Sequence, residues 1–310
     1  MEIHTALPTS KILDRCALSI GTFDGVHRGH QALVEDLKIH AAARDLPTAV
    51  LTFADMPHCV FRPDDCPRLL TLPEEKIAAF AALEIDHLFI VPFDKKIAAQ
   101  SYDDFTTGVL CGKMGAQLLV IGPDFALGKG RAGDASALKK LGEKIGFETK
   151  VLRRKIEWQG EAISSTRVRR AVESGDVEGA SQMLGRAFSF AGEVISGKKL
   201  GRTIGVPTIN LQVSSRKVLP APGIYAARAL LQGGSTPKAA ALSIGTNPTV
   251  SEDDSLKLEF HVLDESIATP PKTARLEVVQ RLRSERKFDS LDALVAQMQT
   301  DIAQAREILK

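Results

Sequence analysis

The chain has 310 residues, longer than one typical core supports, so two domains are the expectation. Its 40 Lys+Arg against 38 Asp+Glu leave a net charge of +2, which argues against a dedicated nucleic-acid or membrane-surface binder. Four cysteines without a C-x-x-C pair, Cys16, Cys59, Cys66 and Cys111, read as reduced thiols, and no amino-terminal signal or membrane-length apolar run is present, so the expected location is cytoplasmic.

In chain order, Ala17 to Gly21 is a short apolar run ending in Gly, a buried-strand pattern. From His30 the sequence turns amphipathic, with Leu33, Leu37 and Ala41 four residues apart on one helix face. The stretch between, GTFDGVHRGH, therefore places His27 and His30 at a helix start, where free N–H groups and the helix dipole favour an anion. Gly21, Gly25 and Gly29 let main chain approach a ligand there. An exposed turn is the alternative reading, and neither the dinucleotide nor the Walker glycine spacing fits.

Further strands are expected at Thr48 to Phe53, His87 to Val91, Gln117 to Gly122 and Thr149 to Arg153. Helical patterns lie between them, around His30 to Arg44, Glu74 to Leu83, Tyr102 to Met114 and Ala135 to Ile145. Strand then helix, repeated, predicts a parallel sheet with helices on both faces and ligands at the carboxyl ends of its strands. That rule brings the histidine loop toward a second Gly-rich loop, GPDFALGKGRAGD, which otherwise reads as a connector. A third segment, ISSTRVRRAV from Ile163 to Val172, offers Ser164 or Ser165 as a helix cap, with Arg167 and Arg169 adding charge. His58, Cys59 and Cys66 match no zinc spacing.

Near Gly185 to Ala187 the character changes. Strand-like runs at Phe188 to Ser196, Gly223 to Leu231, Lys238 to Ile244, Leu256 to Leu263 and Arg275 to Leu282 predict a small antiparallel barrel, closed by a helix over Asp289 to Leu309 packed on it. The domains are therefore expected at 1–185 and 186–310. Within the second, GKKLGRTIGVPTINL spaces three glycines four residues apart, which suits a loop closing over a ligand. If the next residues are extended, Thr208 and Asn210 present a hydroxyl and an amide oxygen on one side, a hard-oxygen pair suited to Mg²⁺. Glu259, in an otherwise apolar strand, is either a rim residue or a general base.

The order GTFDGVHRGH, GPDFALGKGRAG, ISSTRVR, GxxxGxxxGVPTIN, PGIYAAR, SIGTNPT, LEFHVLD and LRSERKF resembles the bacterial bifunctional riboflavin kinase and FMN adenylyltransferase family, from about Ser19 to the carboxyl end. The resemblance implies a transferase with a Rossmann-like HxGH nucleotidyltransferase domain and a β-barrel kinase domain. The kinase would convert riboflavin to FMN and the other domain FMN to FAD, with ATP as co-substrate and Mg²⁺ as cofactor. Neither nucleic acid nor membrane is implied as a partner, and self-association is left open.

By motif, His27 and His30 are implied to stabilise ATP phosphates, beside Gly21, Thr22, Phe23, Asp24, Gly29 and Asp124. Ser164, Ser165, Thr166, Arg167 and Arg169 would hold the triphosphate from the opposite side. In the kinase, nucleotide binding falls to Gly197, Lys198, Gly201, Arg202, Gly205, Pro207, Thr208 and Asn210, with Thr208 and Asn210 also on Mg²⁺ and Glu259 as base. Flavin binding is implied at Arg283 and Phe288 in the kinase; in the other site Leu127 stands at the motif's flavin position, and Phe61 and Phe105 are the aromatic candidates that remain.

Three departures stand out. Met56 replaces the usual His of FEPHP, Ala126-Leu127 replaces Arg-Phe of DFRFG, and Thr269-Pro270-Pro271 stands where a LYG turn is usual. Two further readings follow from them: a protein with only the kinase half active, and a non-catalytic flavin- or nucleotide-binding regulator.

Overall fold

The computed structural model describes residues 1–152, 154–196, 205–246, 256–265, 267 and 269–310. Its contacts divide the chain into two units, Met1–Ser165 and Thr166–Lys310.

In the first unit six parallel strands form a sheet in the order β1-β4-β3-β2-β5-β8. They are β1 Glu2–His4, β2 Cys16–Ile20, β3 Thr48–Phe53, β4 His87–Val91, β5 Ala116–Ile121 and β8 Glu148–Val151. Strands β2 and β3 are buried at every position, as apolar runs covered on both faces must be. Alternate residues feed opposite cores. Leu18, Ile20, Leu51 and Phe89 point to one side with Phe105, Leu119 and Leu138; Ala17, Val50 and Leu88 point to the other with Leu33, Leu37, Ala41 and Phe80.

Helix α1 spans Arg28–Ala42, α2 Pro73–Ala81, α3 Lys95–Ala99 and α5 Ala135–Ile145. The single helix expected at Tyr102 to Met114 begins as α4, Tyr102–Asp104, and continues as a π-helix over Phe105–Cys111. Two short hairpins complete the unit: β6 Ala126–Leu127 with β7 Gly133–Asp134, and β9 Glu157–Trp158 with β10 Glu161–Ala162. Strand β1 carries no apolar pattern and was not expected. It joins the edge by parallel pairing with β4.

The cysteine reading needs correction. Cys59 and Cys66 form a disulfide, drawn together by two 3₁₀ turns at Pro57–Val60 and Pro63–Asp65; Cys16 and Cys111 are free. Burial pushes the Cys16 thiol up to about 12 and Cys111 to about 11, so both are inert at neutral pH.

In the second unit α6 Ser165–Ser174 and α7 Val177–Leu184 precede the barrel, and α7 packs on its strands β11 and β16. That packing is why the division falls earlier than the change of sequence character at 185. The barrel closes in the order β11-β12-β15-β14-β13-β16, from β11 Phe188–Ile195, β12 Ile209–Gln212, β13 Gly223–Leu231, β14 Lys238–Thr246, β15 Leu256–Val262 and β16 Thr273–Arg283. Helix α8, Leu291–Leu309, lays Ile302, Ala305 and Leu309 against Val206, Ala226 and Leu263, while Leu291 at its start is exposed.

Candidate active sites

The first site forms where strand order reverses, between β2 and its neighbours β3 and β5, at the carboxyl ends of the strands. The turn from β2 into α1 is tightly wound: Phe23 (φ 47°), Gly25 (φ 83°) and Val26 (φ 41°) all lie in the left-handed region. Two of these are not glycine, a concentration of backbone strain typical of ligand-binding turns. The turn is held from outside. Gly25 donates its N–H to Thr71 Oγ1 at 3.0 Å, and the buried Asp24 carboxylate accepts from the N–H groups of Leu70 and Thr71 at 3.0 and 3.1 Å. Asp24, expected against ATP, is therefore turned away from the cavity and braces the loop at 70–71.

His27 is the N-cap of α1, its Nδ1 accepting from the His30 N–H at 3.4 Å. The two imidazoles stack with centroids 3.6 Å apart and planes 17° from parallel, and Phe23 meets His30 edge-on at 5.1 Å. A Cβ on Gly29 would lie 3.1 Å from the His27 ring, so the glycine between the histidines makes room for the stack. Burial, with smaller contributions from His27 and Lys76, holds His30 well below the usual histidine range, so it is neutral at pH 7. Its Nδ1 is buried and without a hydrogen-bond partner.

These rings line a cavity of about 1100 Å³, room for more than one drug-sized ligand. Gly21, Thr22, Phe23, Gly29, Asp124, Ser164 and Ser165 line it, as do Phe61, Phe105 and Leu127. Phe105 belongs to the core and shows the cavity only a buried flank, whereas Phe61 is largely exposed. Ser165 is not a free cap hydroxyl: it donates to the Asp24 carbonyl at 2.8 Å. Thr166, Arg167 and Arg169 follow on α6, in the second unit; Arg169 is buried.

Several residues that line or brace the cavity escaped the sequence. Phe93 and Phe125 add rings to the wall. Met56 is buried outside the lining, but His58, two residues on, does line the cavity, so an imidazole persists in that segment. Most consequential is Lys76. It is buried, and its ammonium donates to the carbonyls of Thr22 (2.9 Å) and Phe53 (2.7 Å), tying the ends of β2 and β3 together. Burial lowers it to about 8 against the attraction of Asp24 and Asp55. In PEEKIAAF a lysine reads as a solvated helix charge; no sequence signal marks it.

The second site lies on the barrel. Asn210 on β12 sits directly opposite Glu259 on β15, so both project from one face. Thr208, two residues before Asn210, is half-buried just ahead of the strand. Glu259 Oε1 pairs with Lys257 Nζ at 2.8 Å. Pro207 accepts through its carbonyl from His261, whose Nδ1 is 2.8 Å away, which anchors the segment leading into β12; Gly205 has φ 78°. Gly197, Lys198, Gly201 and Arg202 lie outside the described residues. Arg283 is committed to α8, with its Nε and Nη2 on the buried Asp301 carboxylate at 2.9 and 2.7 Å. Phe288 is half-buried with Arg286 stacked over its ring at 4.6 Å.

A family model described as FAD synthetase matches residues 9–167, and one described as riboflavin kinase matches 184–309. The chain belongs to the bifunctional riboflavin kinase/FMN adenylyltransferase family. The relative of that name from Escherichia coli K12 is 37% identical over 94% of this chain and 92% of its own. The one from Pseudomonas fluorescens is 38% identical over 94% and 93%. A crystal structure described as a macrolide-efflux protein from Streptococcus pneumoniae superimposes with a TM-score of 0.89 at 28% identity, covering 99% of both chains. Among the described residues of this family member, no helix is long and apolar enough to cross a membrane.

Proposed function

We propose that residues 186–310 phosphorylate riboflavin to FMN with ATP and that residues 1–185 adenylylate FMN to FAD, releasing pyrophosphate. The observation that carries the adenylyl assignment is the stacked His27–His30 pair at a helix start on the wall of a large aromatic-lined cavity. An FMN phosphate oxygen attacks the α-phosphorus of ATP; the new P–O bond forms as the bond to the bridging oxygen breaks, and that oxygen leaves with pyrophosphate. Imidazole N–H groups and the α1 N-terminus donate to the charge growing on those oxygens, which lowers the barrier without a covalent nucleophile. Ser164 and Ser165 hold the triphosphate, and Phe61, Phe93, Phe105, Phe125 and Leu127 form the flavin wall.

In the kinase, Glu259 takes the proton from the riboflavin 5′-hydroxyl as its oxygen attacks the γ-phosphorus and ADP leaves. Lys257 pairs with Oε1, which leaves Oε2 to accept. Thr208 and Asn210 offer oxygen donors only, which fits a hard divalent cation such as Mg²⁺. When bound, that ion supplies charge neutralisation to the phosphates. Phe288 and Arg283 lie on the flavin side, Arg283 acting through Asp301. Because both steps consume ATP, we assign them to the cytoplasm.

A second reading, kinase activity alone, is favoured by Leu127, which lines the adenylyl cavity without the ring usual in the family. Incubating the protein with riboflavin, ATP and Mg²⁺ and resolving the flavins chromatographically separates the readings. FMN followed by FAD is expected. FMN that never becomes FAD supports the second reading, and no new flavin overturns both.

A further inference from the structure

At the outer edge of the first-unit sheet, the opening strand and a strand 83 residues later bring three metal-ligating side chains together. The parallel register pairs Glu2 with His87 and His4 with Phe89, so all four project from one face. His4 Nε2 is 3.5 Å from His87 Nδ1, Glu2 Oε1 is 3.7 Å from His4 Nε2, and Glu2 Oε2 is 3.5 Å from His87 Nδ1. Two ligands on a tetrahedral Zn²⁺ with bonds of about 2.0–2.1 Å are separated by about 3.3–3.4 Å, so the two imidazole nitrogens need a shift of only a few tenths of an ångström, whereas Glu2, whose two oxygens each face a different ring, must turn one oxygen toward both.

The rings are held in place. His4 stacks on the buried Phe89 with centroids 4.2 Å apart and planes 17° from parallel, and His4 and His87 keep 11% and 15% side-chain exposure. Glu2, at 64%, is free to swing onto an ion. Two nitrogens and one carboxylate suit a borderline cation rather than Mg²⁺. His87 opens β4, at the opposite end of the strands from the nucleotide cavity.

We propose that Glu2, His4 and His87 form a binding site for one divalent transition-metal ion of the Zn²⁺ type, pinning the short β1 to the sheet edge and leaving one tetrahedral position for water. The competing account is a histidine pair sharing a proton beside a surface glutamate. Titrating the chelator-treated full chain with Co²⁺ alone and reading its visible absorption distinguishes them. One saturable equivalent is expected, displaced by Zn²⁺. It should persist in His27→Gln, weaken at least tenfold in Glu2→Gln and be lost in His87→Gln. Glu2 is exposed, so its variant tests the site even if His87→Gln fails to fold. Absence of saturable Co²⁺ binding to the intact chain, or equal affinity in Glu2→Gln, overturns the proposal.

Discussion

Replacing Lys76 with Met tests whether a buried cation underlies the adenylyl site. Its ordinary value near 10.5 falls to about 8, so keeping it charged in the fold costs about 3 kcal/mol. Two charge-assisted bonds, to Thr22 and Phe53, offset this at about 1.5–3 kcal/mol each. Methionine removes the cost and the bonds together, so the net loss of stability at pH 7 should be about 0–3 kcal/mol. Activity should not be spared. Thr22 and the end of β3 line the cavity floor, and the charge acts on His30, so FAD formation should fall tenfold or more while FMN formation is unchanged. Urea unfolding beside a flavin product assay reads both.

The pH dependence adds an independent check. The folded protein releases the Lys76 proton near pH 8 while the unfolded chain holds it to about 10.5, so the wild type should gain stability relative to Lys76→Met across that window. An unaltered rate of FAD formation, or a flat stability difference from pH 8 to 10, would refute the argument.

Exchanging His30 for Gln should cost FAD formation about a hundredfold or more through lost transition-state donation and leave FMN formation intact, whereas Glu259→Gln should do the reverse; separate assays with FMN and riboflavin as substrates check both. His30 and His4 are both held below the usual histidine range. Unfolding therefore takes up protons as pH falls below about 6.5, and stability, full above that value, should decline with a slope approaching 1.4 kcal/mol per pH unit for His30. Urea midpoints between pH 8 and 5 measure it, and His30→Gln should flatten the curve. Cutting the Cys59–Cys66 crosslink, which spans 7 residues and constrains the opened segment by about 2–3 kcal/mol, should loosen the wall carrying Pro57, His58 and Phe61. Cys59→Ser is expected to raise the KM for FMN several-fold with riboflavin phosphorylation unaffected.

What could be read from the residues alone follows a physical line. Apolar runs such as Thr48–Phe53 announce strands because burial on both faces leaves no other composition, and the histidine turn stands out because its glycines sit where a strand must hand over to a helix. The antiparallel barrel was legible from alternation, as was the placement of its closing helix. Strand β12 was not, because the glycines ahead of it mask a four-residue segment that is set by pairing with β11 and β15. Lys76, the inward turn of Asp24 and the grouping of Glu2, His4 and His87 escaped for a related reason. Each depends on a contact between distant segments that no local pattern encodes, and the side chains involved are of types that ordinarily face water. The disulfide is similar: nothing in the spacing of Cys59 and Cys66 foretells the two turns that bring them together.

With Asn210 and Glu259 in the roles proposed above, their placement across from one another would make catalysis a readout of strand alignment. The two side chains share a face only because the ladder between β12 and β15 locks at one setting; a slip by a single residue would rotate one of them toward the barrel interior. Turnover of riboflavin during refolding would thus count the molecules whose ladder has closed in the correct frame, a measure that spectroscopic recovery of β-structure does not give.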